Sequence, residues 1–146
     1  MAAPTYTWEF AYDLFGTRVP IVTTLEAITL LETKVGTLCI MNSGQVDEAT
    51  ASAVTIIGLA MEDIDGSPAT AADPIKVALL APGMVIKGTA DADASALAGF
   101  SGKLVDVNTD GSLDVADTTN GSLSVHKTED AGLTVYCVVG VGALFG

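Results

Sequence analysis

The chain predicts a mainly β fold: a small β-barrel, β-tulip-like or sandwich domain with an extended N-terminal arm and at most one or two short helices. Three observations carry this. Runs rich in Val, Ile, Leu and Thr alternate with turn formers about every 8 to 15 positions, the spacing of short strands in sandwiches and barrels. Several of those turns hold Gly after Asn, Asp, Ser or Pro. The first stretch alternates aromatic residues with Thr, Glu and Ala.

Taken in order, the arm comes first. Tyr6, Trp8, Phe10 and Tyr12 alternate with Thr7, Glu9 and Ala11, and Phe15 follows. A period of two puts the four rings on one face of an extended strand. Either the stripe packs into its own core, or it adds to a neighbouring chain's sheet with the rings as anchors. Residues 1–18 are the arm and 19–146 a single β domain. Thr23 with Glu26 fits a capping box, whereas Ile28, Thr29 and Leu30 suit a strand. Residues 23–33 therefore read as irregular or briefly helical.

Strands are predicted at 37–41, 54–61, 75–80, 84–87, 103–107, 112–115, 122–126 and 133–141. Asn42-Ser43-Gly44, Asp65-Gly66, Pro82-Gly83, Asp110-Gly111 and Asn120-Gly121 are the turn signals, since Asx-Gly supplies the positive φ of tight hairpins. Residues 65–74 make a loop long for a hairpin. Residues 91–98 predict one or two helical turns, with Ser or Asp as cap. The apolar stretch 133–146 falls short of the about 20 residues of a membrane helix and reads as a last core strand.

Composition narrows function. With 146 residues, one domain can bury a real core. Only 16% of residues are charged, so small and apolar side chains cover much of the surface, as in a chain that assembles with neighbours. Eighteen acids against six bases give a net charge of -12, which repels nucleic acid and anionic membranes. The N-terminus lacks the basic and apolar regions of a secretory signal.

Catalytic chemistry finds little support. His126 is the one histidine, and no G-x-S-x-G elbow or phosphate-binding Gly loop accompanies it. Carboxylate groups at Asp47-Glu48, Glu62-Asp63-Asp65, Asp91-Asp93 and Glu129-Asp130 read as solvated loop charges. Cys39 and Cys137 sit in apolar runs and read as buried free thiols, a disulfide requiring neighbouring strands. Residues 106–117 offer two readings. Asp106, Asn108, Asp110, Gly111 and Asp117 match a calcium-loop template and resemble the loops of dockerins, which would make calcium a structural cofactor. The same residues also fit a β-hairpin turning at Asn108–Gly111, because no helix signal follows.

Residues 36–46 (GTLCIMNSGQV), 57–63 (IGLAMED), 74–88 (PIKVALLAPGMVIKG) and 133–144 resemble, in their order of strands and turns, the capsid decoration (cement) proteins of tailed bacteriophages. The resemblance spans roughly residues 16–146. It implies a β-tulip or barrel-like domain, often a homotrimer, whose arm orders against the major capsid protein. It brings no catalytic residues and places the protein on the outer capsid surface of the virion. Tyr6, Trp8, Phe10, Tyr12 and Phe15 would then contact the shell, and Arg18 would pair with a capsid carboxylate. A tail-tube, fibre or adhesin domain, and a calcium-dependent carbohydrate-binding domain, are the alternative expectations.

Overall fold

The computed structural model describes residues 4–14, 20–28, 30–49, 55–65, 73–81, 83–119 and 121–139. Eleven strands occur among them: β1 Glu9–Asp13, β2 Ile21–Glu26, β3 Leu38–Asn42, β4 Gln45–Glu48, β5 Gly58–Ala60, β6 Pro74–Leu79, β7 Met84–Thr89, β8 Asp106–Val107, β9 Leu113–Asp114, β10 Leu123–Glu129 and β11 Thr134–Val139. The mainly β expectation holds. A four-stranded sheet has the order β1-β7-β11-β10, a five-stranded sheet β2-β6-β5-β3-β4, and β8-β9 form a ribbon. All strand pairs are antiparallel.

Cross-strand partners share a face, so the registers locate the cores. Ile86 and Cys137 pair in the four-stranded sheet, and Leu59 and Ala78 in the five-stranded one. All four belong to one buried cluster, so the two sheets pack face to face. Val107 and Leu113 of the ribbon join it. The opposite face of the five-stranded sheet bears Cys39, Val46, Ala60, Ile75 and Val77, which with Ala27 and Leu31 make a second, smaller core. A parallel bridge between Ala27 and Val46 draws that sheet's outer strands together. It is a single bridge, and the sheet curls without forming a closed barrel.

The turn signals at Asn42-Ser43-Gly44 and Asp110-Gly111 sit where strands reverse. Gly121 does not take the expected positive φ, and Gly66, Pro82 and Asn120 lie outside the described residues. Ser43 and Gly44 take positive φ between β3 and β4, and Gly83 does so before β7. Asp130, Ala131 and Gly132 join β10 to β11 with φ of 51°, 57° and 85°. Residues 95–97 form a short 3-10 helix inside the predicted helical stretch, and Asp93 Oδ1 accepts from the Ser95 N–H.

Several expectations are corrected. Residues 21–26 are a strand, not a helical piece: Val22, Thr23 and Thr24 are β-branched, and Glu26 pairs with Pro74 instead of closing a capping box. A bulge between Val22 and Leu25 sets Val22 opposite Val77 and Leu25 opposite Ile75, both residues of the smaller core, and it breaks the period. Strand β4 was not anticipated, because QVDE carries one apolar residue. Strand β5 spans 58–60 where 54–61 was predicted, residue 54 lying outside the described residues. Strands β8 and β9 are two residues each, shorter than predicted. Residues 66–72 of the long loop also lie outside the described residues. Cys39 and Cys137 are free and buried, on strands of different sheets. Glu48, expected among solvated charges, is only 6% exposed.

Candidate functional site

Residues 6–14 of the N-terminal segment are tied into their own domain. The Tyr6 N–H donates to the Asp110 carbonyl at 2.8 Å and the Trp8 N–H to the Gly36 carbonyl at 2.7 Å. The Trp8 Nε1–H donates to the Gly111 carbonyl at 2.8 Å, satisfying the one polar atom of a buried indole. Beyond Trp8, β1 pairs with β7, and the Leu14 N–H donates to the Gly83 carbonyl. Gly111 permits this closeness: its φ is 91°, and a Cβ there would strike the Tyr6 carbonyl.

The four rings do not share a face. Phe10 pairs with Ile86 and Tyr12 with Val85, because a bulge falls between Phe10 and Tyr12. Ile86 and Val85 are consecutive and face opposite sides, so the bulge turns Phe10 inward and Tyr12 outward. Trp8 is 3% exposed and belongs to the main core, whereas Tyr6 and Phe10 are about two-fifths exposed. Phe15 and Arg18 lie outside the described residues.

Two surfaces result. The first is an apolar crevice of about 230 Å³ that opens between β1, at the edge of one sheet, and β2, at the edge of the other. Trp8, Leu59 and Ala78 line it, with Phe10, Ile21, Val35 and Met61. The last four are exposed large hydrophobic residues, Ile21 at 56% and Val35 at 53%. A concentration of exposed apolar side chains around a crevice is a feature of interaction surfaces and ligand grooves alike. Sequence reasoning found Phe10 but missed Ile21, Val35 and Met61, which lie far apart in the chain and which no period links.

The second surface is the outer face of the four-stranded sheet. Tyr12 stacks on Tyr136 with centroids 6.3 Å apart, and Phe100 stacks on His126 at 5.0 Å. Tyr12 meets His126 edge-on at 6.1 Å. Lys127 Nζ stands 4.3 Å from the Tyr136 centroid, within cation–π range. The Tyr136 hydroxyl donates to Glu129 Oε2 at 3.1 Å. Partial burial, then the Lys127 charge, pushes the His126 imidazole below its ordinary 6.5. His126 is held by aromatic contacts on this face.

The 106–117 segment folds as the hairpin alternative describes, with Asp106 opposite Asp114 and Val107 opposite Leu113. Its polar side chains bond to nearby turn residues and to Asp91. Asp110 Oδ1 accepts from the Ser112 N–H and hydroxyl, and Asn108 Nδ2 donates to Asp91 Oδ2 and Ser112 Oγ. Asp117 Oδ1 accepts from Thr119, while Asp106 is buried. Among the described residues no three His, Cys, Asp or Glu side chains cluster closely enough to hold a metal ion. No helix among them is long and apolar enough to cross a membrane.

No protein-family model matches the chain, and no curated protein matches it.

Proposed function

We propose that this chain is a non-enzymatic structural virion protein that binds the outer surface of a phage capsid and clamps neighbouring major capsid protein subunits. The observation that carries the reading is the apolar crevice between the β1 and β2 edges, ringed by exposed Phe10, Ile21, Val35 and Met61. An apolar side chain of the shell inserted there adds about 25 cal/mol for each Å² of apolar surface removed from water. Many copies, each contacting adjacent capsomers, sum that term against the outward pressure of packaged DNA.

Charge is consistent with this placement. A net charge of -12 suits a protein outside the shell, away from the genome, and keeps decorated particles mutually repulsive. Self-association as a homotrimer belongs to the same proposal, as the resemblance implies. Neither calcium nor any other cofactor is needed, and nucleic acid and membranes are not partners.

The test is binding of the purified chain to expanded phage heads that lack it, read by co-sedimentation and electron microscopy. The proposal expects density on the outer shell and at least a tenfold loss of affinity for Phe10→Asp combined with Ile21→Asp. Full affinity of the double variant would remove the crevice from the interface. Density in tail tubes or fibres would replace the capsid reading.

A further inference from the structure

Glu48 sits where a carboxylate is poorly placed. It ends β4 and pairs in register with Cys39, which is fully buried in the smaller core. Val46, two residues earlier and on the same face, is buried in that core as well. The end of β4 also holds the strand crossing beside it. Ala27 bridges Val46, the Ile28 N–H donates to the Val46 carbonyl at 2.9 Å, and the Ala49 N–H donates to the Leu38 carbonyl at 2.8 Å.

The charged neighbours of Glu48 share its sign. Asp47 is adjacent, held in place by N–H groups of Asn42 and of Glu48 itself. Glu32 acts from the segment after Leu31, itself buried in the smaller core. Among the described residues no lysine pairs with Glu48. The Cys39 thiol, pushed up to about 12 chiefly by burial, stays neutral.

We propose that Glu48 is a proton-operated latch: its neutral form fastens the end of β4 to β3 and to the Ala27–Leu31 crossing, and its ionised form loosens them. The carboxyl is pushed from an ordinary 4.5 to about 6, first by burial and then by Asp47. The folded state thus binds this proton more tightly than the unfolded chain. The added stability is fully present below the ordinary value and is lost as pH rises through about 6. The turn closed by the Leu31 N–H and the Ile28 carbonyl carries Leu30, 62% exposed at a φ of 62°. How firmly that side chain is presented therefore depends on pH between about 4.5 and 6. The latch stands apart from the capsid reading and holds whether or not the chain binds a shell.

Glu48→Gln, which copies the neutral form, tests it in the full chain. Relative to wild type, the variant's folding equilibrium constant should rise at least tenfold at pH 7.5, and the gain should disappear by about pH 4.5, the double comparison cancelling other titrating groups. Exchange of the Ile28 and Ala49 amides, corrected for its intrinsic pH dependence, should accelerate between about pH 4.5 and 6 in wild type and level off above, with no such rise in the variant. Equal effects at both pH values, or no gain at pH 7.5, overturn the latch. So does an NMR titration of the wild-type Glu48 carboxyl carbon with a midpoint near 4.5, a measurement that does not depend on the variant folding.

Discussion

The Trp8 indole lies against the backbone of Gly88, at a position where a Cβ would collide with its Cδ2, Cε3 and Cε2 atoms. Gly88 pairs with Val135 in the middle of the four-stranded sheet. Gly88→Ala should destabilise the fold by about 1–3 kcal/mol, the range for overpacking a well-filled core. Chemical denaturation measures this. Because Trp8 is the single tryptophan, its emission should shift to the red in the same variant.

The aromatic residues of the first segment should separate into two energetic classes. Trp8→Ala removes a buried ring and leaves the Gly111 carbonyl without its donor. A loss of about 3–5 kcal/mol is expected. Phe10→Ala, at a ring 39% exposed, should cost less than about 1.5 kcal/mol while weakening the capsid binding proposed above. Equal losses of stability would contradict the difference in burial between the two rings.

The Asn108–Gly111 turn makes a prediction about calcium. Asp110→Ala removes the acceptor for the Ser112 N–H and hydroxyl and should cost about 1 kcal/mol. With Asp110 and Asp117 engaged in their own turns, millimolar calcium and excess chelator should give the same Tm. A rise in Tm with calcium that Asp110→Ala abolishes would restore the metal reading.

Leu30 holds a left-handed φ of 62° with most of its side chain in water. That conformation costs a non-glycine residue about 1–2 kcal/mol, partly offset by the entropy a glycine would lose. Leu30→Gly should stabilise the protein by up to about 1 kcal/mol, read as a higher denaturation midpoint. A lower midpoint would mean that Leu30 contributes packing that outweighs its strain.

His126 should work against Glu48. Its imidazole is depressed below 6.5 by burial and by Lys127, so its contribution is complete above 6.5 and declines as pH falls through the folded value. His126→Phe should keep a ring on Phe100 and remove that decline. The Tm difference between variant and wild type should then grow in the variant's favour from pH 7.5 to pH 5. A difference independent of pH would show that folding leaves the His126 imidazole where it stands in the unfolded chain.

The strands easiest to read in the sequence are those whose apolar residues the two cores need, such as those around Val77, Ile86 and Cys137. Turn chemistry at Asn42-Ser43-Gly44 and Asp110-Gly111 located hairpins for the same local reason. Local rules failed where tertiary pairing decides. Periodicity assigns Phe10 and Tyr12 to one face, but the bulge that separates them is imposed by β7. Gln45–Glu48 is a strand because Val46 fills the smaller core and Leu38–Asn42 offers it a ladder, neither of which four polar-rich letters disclose. Glu48 looked solvated beside Asp47 because charge type does not reveal which face of a strand is covered. The crevice was invisible for a related reason: Phe10, Ile21, Val35 and Met61 meet only after both sheets pack.

The hydrogen bond from Trp8 to Gly111 also sets a timetable for folding. It spans 103 positions, and β1 has no partner strand until Met84–Thr89 is available. The stretch richest in aromatic rings must therefore wait, uncovered, for most of the chain. Closing so large a loop before any contact rewards it makes non-local β folding slow. Refolding should be limited by the docking of this first strand, and the interval before it docks is when the chain is most prone to aggregate.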